Sequence, residues 1–366
     1  MKQVICGVLA VAVLAACGGG GGASPAEMKR RAQGGHAGGT TTLIGAGASF
    51  PRPVYDRWFA EYAKGHPVRV NYQPIGSGGG IRQVTEGTVD FGASDAPMTD
   101  EELAKAPGMV HLPTVMGAVT VAYNLPRMAQ PLRLDGPALA GIFGGRITRW
   151  NDPAIAALNP GVTLPATDVI PVYRTDGSGT TYIFTEYLAA VSPEWKRAVG
   201  AGKSVRWPRG LGGKGNEGVT GQVKQTPGAV GYVELAYARE GGLATASLRN
   251  AAGQFVQPTV EATAAAAENL GPLIQQHPDL RLSLVNLPGA ATYPLASWTY
   301  LLLPPHMEDC RTARSIAALM RWSLTEGGGY ARELHYAPLP EAVRVPVLRK
   351  LAAVTCGAAR EPVGNG

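Results

Sequence analysis

Residues Asp168–Leu188 read DVIPVYRTDGSGTTYIFTEYL, and the order of residue types along them decides the fold. Asp168 to Arg174 is rich in β-branched and aromatic side chains and reads as a strand. Glycines at 177 and 179 then break the run. Beyond them Ile183, Phe184, Tyr187 and Leu188 fall at helical spacing and can face a core. A strand that ends in a Gly, Ser and Thr turn and opens directly into a helix leaves several backbone N–H groups pointing outward at the positive end of the helix dipole. Such a turn is an anion site in waiting. This one also carries Arg174 and the hydroxyls of Thr175, Ser178, Thr180 and Thr181, but Asp176 sits among them. A bare carboxylate would repel a bound anion, so Asp176 either braces the Arg174 guanidinium from behind or caps the turn or the following helix.

The same grammar recurs outside this segment. Thr41–Gly47 (TTLIGAG) is a strand entering a glycine turn, after which Tyr55, Trp58, Phe59 and Tyr62 form the buried stripe of a helix whose first turn suits Pro51 and Pro53. Val68–Gly76 alternates as a strand with Val68, Val70 and Tyr72 on one face, Ser77–Gly80 is the next turn, and a helix begins near Ile81. Val89–Ser94 is another short strand. Near the C-terminus, Leu280–Pro288 and Ser297–Pro304 read as strands, and Arg311–Leu324 as an amphipathic helix stopped by Gly327–Gly329. Strands alternating with helices predict an α/β architecture with mostly parallel sheets. No repeat of solenoid period is present.

The N-terminal residues 1–16, MKQVICGVLAVAVLAA, have the basic start, apolar run and small-residue end of a secretory signal. Leu14–Cys17 resembles a bacterial lipobox, which predicts acylation of Cys17 and membrane contact through that anchor; secretion with cleavage elsewhere is the alternative. Residues 17–40 are glycine-rich and nearly devoid of apolar side chains, a flexible tether. The whole chain carries a formal net charge of +6. Lys2 accounts for one unit, and Lys29, Arg30 and Arg31 against Glu27 for two more, which leaves about +3 on the body. That is no nucleic-acid footprint, and no basic run interleaved with stacking aromatics occurs. Cys310 and Cys356 form an even pair in an exported chain, which predicts a disulfide. No metal-ligand spacing is present and no cofactor is implied. The length after the tether favours two domains.

Four glycine motifs invite enzymatic readings. Gly210–Gly215 (GLGGKG) imitates a phosphate loop, but glycine follows the lysine where Ser or Thr would hold magnesium. Neither GAGASF nor GSGGGI completes a dinucleotide fingerprint. GASDA at residues 92–96 approaches a nucleophile elbow around Ser94, for which His306 or His335 could complete a triad. A secreted serine hydrolase or phosphatase therefore stays open. The binding alternative needs no base: Ser49, the Phe50 amide, Ser77, Asp95, Arg174, Ser178, Gly179 and Thr180 would all lie at strand ends or helix starts, where an open α/β sheet places its ligand crevice. Taken singly, each Ser or Thr is a candidate helix cap.

GAGASFPRPVYDRW, YQPIGSGGGIRQV, VDFGASDAPM, YRTDGSGTTYIFTEYL, WPRGLGGKGNEGV and PGAVGYVELAYA together resemble the substrate-binding component of phosphate-specific ABC transporters, with spacing kept from about Thr41 to near Pro346. The resemblance implies a two-lobed class II periplasmic-binding-protein fold, each lobe a mostly parallel sheet flanked by helices, with one dehydrated phosphate in the cleft between them. It implies phosphate contacts at Ser49, Phe50, Ser77, Asp95, Arg174, Ser178, Gly179 and Thr180, with Asp176 behind Arg174. Two positions depart from the family pattern: Ser49 stands where Thr is usual, and Gly78 replaces a second Ser. The family's hinge implies lobe I from residues 41–115 plus 294–366 and lobe II from 116–293. Its partners would be the permease subunits and ATPase of an importer, served by a monomer. A receptor for sulfate or molybdate is the alternative within the binding class.

Overall fold

The computed structural model describes residues 39–125, 128, 130–268 and 270–365. The signal segment, Cys17 and the tether up to residue 38 lie outside the described residues.

The strands that position the site are β1 (Thr41–Gly47), β2 (Val68–Gln73), β3 (Phe91–Ser94), β4 (Val110–Tyr123), β5 (Ile170–Arg174), β6 (Leu211–Gly213), β7 (Ala229–Glu234), β8 (Ala244–Thr245) and β9 (Ala296–Leu303). They join in one nine-stranded sheet of order β2-β1-β3-β9-β4-β7-β5-β6, with β8 alongside β4. The principal helices are α1 (Arg52–Gly65), α2 (Ser77–Thr85), α3 (Gly179–Val191), α4 (Gly215–Gln225), α5 (Cys310–Leu324) and α6 (Glu341–Ala352). The molecule is α/β and two-lobed. Its outer strands are parallel as expected: β1 with β2 and β3, and β5 with β6 and β7. The middle is not. β9 runs antiparallel to both β3 and β4, and β4 antiparallel to β7.

That middle is where one lobe passes into the other. β4 pairs with β9 from Val110 to Ala118 and changes partner at Val119, from which it pairs with β7 to Tyr123. Both faces of this strand are covered, and all of it but Val110 is buried. Its sequence VHLPTVMGAVTVAY therefore reads as a nearly continuous apolar run, without the alternation of a half-exposed strand. One core, around Leu43, Phe91, Leu302 and Ile316, lies under the first half of the sheet. A second, around Phe50, Tyr55, Val119, Phe184 and Tyr232, extends from α1 across the junction into the other lobe.

Cys310, at the start of α5, is bridged to Cys356, 46 residues away in sequence. Closing a loop of that length is worth about 4 kcal/mol in the chain-entropy account. The expected strand at Leu280–Pro288 does not form. Leu280 and Asn286 have φ of 63° and 55°, left-handed values that no strand tolerates. The alternation there is nonetheless real, because Leu280, Leu282 and Leu284 point into the first core. Tyr300 Oη lies 3.2 and 3.1 Å from the carbonyls of Leu280 and Leu282, so a side chain takes the place of a neighbouring strand. The helix expected near Ile81 begins earlier, at Ser77.

Candidate functional site

Four strand-to-helix turns converge where the lobes meet. They follow β1, β2, β5 and β6, and each opens one of the helices α1 to α4. α3 is capped by Ser178, whose Oγ accepts the Thr181 N–H at 3.0 Å. Gly76, which precedes α2, has φ of 86°, and a Cβ there would lie 2.4 Å from Asp176 Oδ2. Only glycine fits so close an approach with that backbone. Gly179 is equally constrained, since a Cβ on it would meet Asp95 and Ser77 Oγ at 2.6 Å. Gly78, where the family pattern has Ser, donates its N–H to Gly177 O across the junction at 2.9 Å.

Arg174 closes β5 with its side chain 1% exposed. Its Nε donates to Asp176 Oδ1 at 2.8 Å and its Nη2 to Oδ2 at 2.5 Å, a two-pronged pair. Asp176 Oδ1 also accepts the Gly215 N–H at 3.1 Å. Burial opposes the charge on each partner, but the hydrogen bonds and charge of the other outweigh it, so the Arg174 pKa is raised and that of Asp176 lowered. The carboxylate thus braces the guanidinium, as the two-residue spacing suggested. Nη1 donates to Thr180 Oγ1 at 3.4 Å, and N–H groups remain on both terminal nitrogens for a further acceptor.

From the first lobe come Ser49, Phe50, Ser77 and Asp95, all buried. Ser77 Oγ accepts the N–H groups of Asp95 at 3.2 Å and of Gly179, in the other lobe, at 3.0 Å. Asp95 Oδ1 accepts from Thr299 Oγ1 of β9 at 2.8 Å. Burial lifts the Asp95 pKa to about 7, with Thr299, Arg174 and Ser77 pulling the other way. The acid also borders a cavity of about 160 Å³ shared with Tyr182, Glu186 and Ser297. All eight residues expected to touch a ligand are thereby gathered at one junction.

Three contributors escaped the sequence reading. Asn216, at the start of α4, bonds Ser49 Oγ through its backbone N–H at 3.1 Å and through Nδ2 at 3.0 Å. Tyr336 Oη lies 2.6 Å from Phe50 O and 2.8 Å from Glu234 Oε2. A phenol has one proton, and the carbonyl can only accept it, so the proton between Tyr336 and Glu234 belongs to the acid. Burial in turn pushes the Glu234 pKa well above the ordinary carboxyl value. Glu234 and Tyr336 together fix the backbone at Phe50. Asn216 and Glu234 lie in the segments WPRGLGGKGNEGV and PGAVGYVELAYA without being singled out there, and no short motif marks Tyr336.

Among the described residues the hydrolase alternative finds no triad. Ser94 Oγ donates to Ala96 O at 2.5 Å and accepts the Ala96 N–H at 3.2 Å, while His306 Nδ1 pairs with Thr355 Oγ1 at 3.0 Å. His335 lines a separate groove of about 890 Å³ with Arg52, Asp56, Glu217 and Lys224, where cations and carboxylates alternate. That groove includes neither Ser94 nor any of Ser77, Asp95 and Arg174.

The PBP superfamily domain matches residues 32–326. The phosphate-binding protein PstS of Xylella fastidiosa (strain Temecula1) is 46% identical over 297 residues, 81% of either chain. That of Pasteurella multocida is 47% identical over 303 residues, 82% of this chain and 87% of its own. Among solved structures, the phosphate-binding protein of Stenotrophomonas maltophilia superposes with a TM-score of 0.66 at 21% identity, covering 85% of this chain and 94% of its own. A high-affinity periplasmic phosphate-binding protein, PfluDING, bound with phosphate, gives 0.67 at 19% identity over 84% and 93%. At such identities the structures speak for the fold alone.

Proposed function

Since the chain belongs to the phosphate-binding protein PstS family of the PBP superfamily, we propose that it captures inorganic phosphate outside the cytoplasmic membrane and delivers it to the permease and ATPase of an ABC importer, without catalysing any reaction. The observation that carries the reading is Arg174: a buried guanidinium braced by Asp176 at a junction that gathers the buried hydroxyls of Ser49 and Ser77 from one lobe and of Ser178 and Thr180 from the other, with the carboxylate of Asp95 held by Ser77 and Thr299. The ligand would be held by Ser49, Phe50, Ser77, Asp95, Arg174, Ser178, Gly179 and Thr180. The lobes would be residues 41–115 plus 294–366 and 116–293, a division supported by the change of partner on β4 between Ala118 and Val119. The receptor would act as a monomer.

Calorimetric titration with phosphate, arsenate and sulfate tests this directly. One phosphate per chain, arsenate in competition and no turnover of p-nitrophenyl phosphate are expected. Heat from sulfate alone would move the protein to another oxyanion, and turnover lost on Ser94→Ala would make it an enzyme.

The lipobox-like Leu14–Cys17 and the tether after it support attachment to a membrane through an acylated Cys17. Buried methylenes supply the anchoring energy. Full-length protein should therefore partition into the detergent phase, and Cys17→Ala should shift it to the aqueous fraction or leave it unprocessed. Wild type found wholly in the aqueous phase would refute the anchor.

A further inference from the structure

We propose that Asn216 is a positioning residue that turns the hydroxyls of Ser49 and Thr180 into obligate donors toward the ligand, an inference resting on the phosphate reading above. Asn216 is fully buried in the first turn of α4, in the second lobe, and it reaches across the junction to Ser49. Its orientation is not arbitrary. The Glu234 N–H, which can only donate, approaches one end of the amide at 2.9 Å, and this end must be Oδ1. The other end is then Nδ2, whose N–H groups go to Ser49 Oγ at 3.0 Å and to Thr180 Oγ1 at 3.3 Å.

A hydroxyl oxygen offers two lone pairs and one proton. At Ser49 both lone pairs are taken by Asn216, through its backbone N–H and its Nδ2. At Thr180 they are taken by Asn216 Nδ2 and Arg174 Nη1. Neither oxygen can accept another bond, so each proton has to point to a new acceptor. An anion rich in lone pairs satisfies both; a ligand that presents N–H or O–H groups to them satisfies neither and is rejected at the cost of an unmade buried bond. Because Ser49 and Asn216 sit in different lobes, the restriction is imposed when the lobes meet. An undecided serine becomes a donor upon closure. Asn216 does all this without touching the ligand, since every side-chain N–H it has is engaged.

The test is a double-mutant cycle read by phosphate affinity. Asn216→Leu keeps the branched shape and removes both side-chain donors, leaving only the backbone N–H on Ser49, and should weaken phosphate binding by about 30-fold. In a background of Ser49→Ala with Thr180→Val, where no hydroxyl remains to be oriented, the same substitution should cost less than about threefold. A merely structural role would lower affinity by the same factor in both backgrounds, and that result overturns the proposal while leaving phosphate binding intact. Failure of the wild type to bind phosphate overturns both readings together. Should Asn216→Leu not fold, Asn216→Asp keeps the acceptor for Glu234 and converts the donor end to an acceptor that draws the two protons away. Its deficit relative to wild type should shrink as the pH falls and the new carboxyl regains a proton; a deficit independent of pH overturns the proposal.

Discussion

Replacing Arg174 with methionine is expected to weaken phosphate binding by about a thousandfold, some 4 kcal/mol at about 1.4 per factor of ten. Methionine keeps much of the buried stem and deletes the charge. The loss is compound, because the substitution also strips Asp176 of its two-pronged partner and leaves it with the Gly215 N–H at 3.1 Å. The carboxylate that had aimed the guanidinium would then face the incoming anion uncompensated. Asp176→Asn should cost far less, about tenfold, since the guanidinium remains and only its aim is loosened. Calorimetry measures both, with circular dichroism to establish that each variant is folded. A loss below tenfold in Arg174→Met would demote the arginine to a structural partner of Asp176.

The second large effect is one of selectivity. Phosphate near neutral pH still carries a proton, whereas sulfate has none to give. With Asp95 lifted to about 7 by burial, the complex holds one proton between ligand and carboxyl whichever of them brought it. Sulfate can be met only by an acid that keeps its own proton, and against the ionised form it sets lone pairs on lone pairs. Wild type should prefer phosphate over sulfate by at least about a thousandfold near pH 8, and Asp95→Asn, which can donate, should reduce that to about thirtyfold by admitting sulfate. The pH dependence has a definite sign. A carboxyl whose folded pKa is raised favours the folded state most below its ordinary value of 3.8 and loses that contribution as the pH rises through about 7. Phosphate affinity should therefore change little above neutrality, because hydrogen phosphate still brings the shared proton after Asp95 has lost its own, whereas the residual sulfate affinity should fall by about tenfold per unit as Asp95 ionises above about 7, a fall that Asp95→Asn should abolish. Selectivity unchanged in Asp95→Asn would assign the discrimination elsewhere in the pocket.

What could be read from the sequence was local, and what could not was distant. Arg174 and Asp176 lie two apart, and the turn holding them joins β5 to α3 without interruption, so strand, brace and helix cap were all visible in one line of residues. Asn216 was invisible for the opposite reason. It sits 167 residues from Ser49 and 36 from Thr180, at the end of a glycine segment that first reads as a failed phosphate loop. Glu234 and Tyr336 are separated by 102 residues and meet only because β7 and the C-terminal segment pack on the same junction. The antiparallel middle of the sheet was missed because a strand buried on both faces gives no alternation from which to infer its neighbours. At Leu280–Leu284 alternation was present, but it reported side chains facing the core and not a hydrogen-bonded ladder. Periodicity registers which way a side chain faces; it says nothing of what the backbone bonds to.

β4 runs unbroken from one lobe into the other, bonded to β9 up to Ala118 and to β7 from Val119, and this bears on the mechanics of the whole receptor. Where lobes are joined by loops, a change of angle is absorbed by a few free torsions. Here, along β4, it is met as twist of a continuous strand bonded to a neighbour on either side of the change of partner. The joint is a torsion spring whose rest position is set by strand pairing. The disorder that a slack connection would surrender each time a ligand arrives has already been surrendered once, when the chain folded.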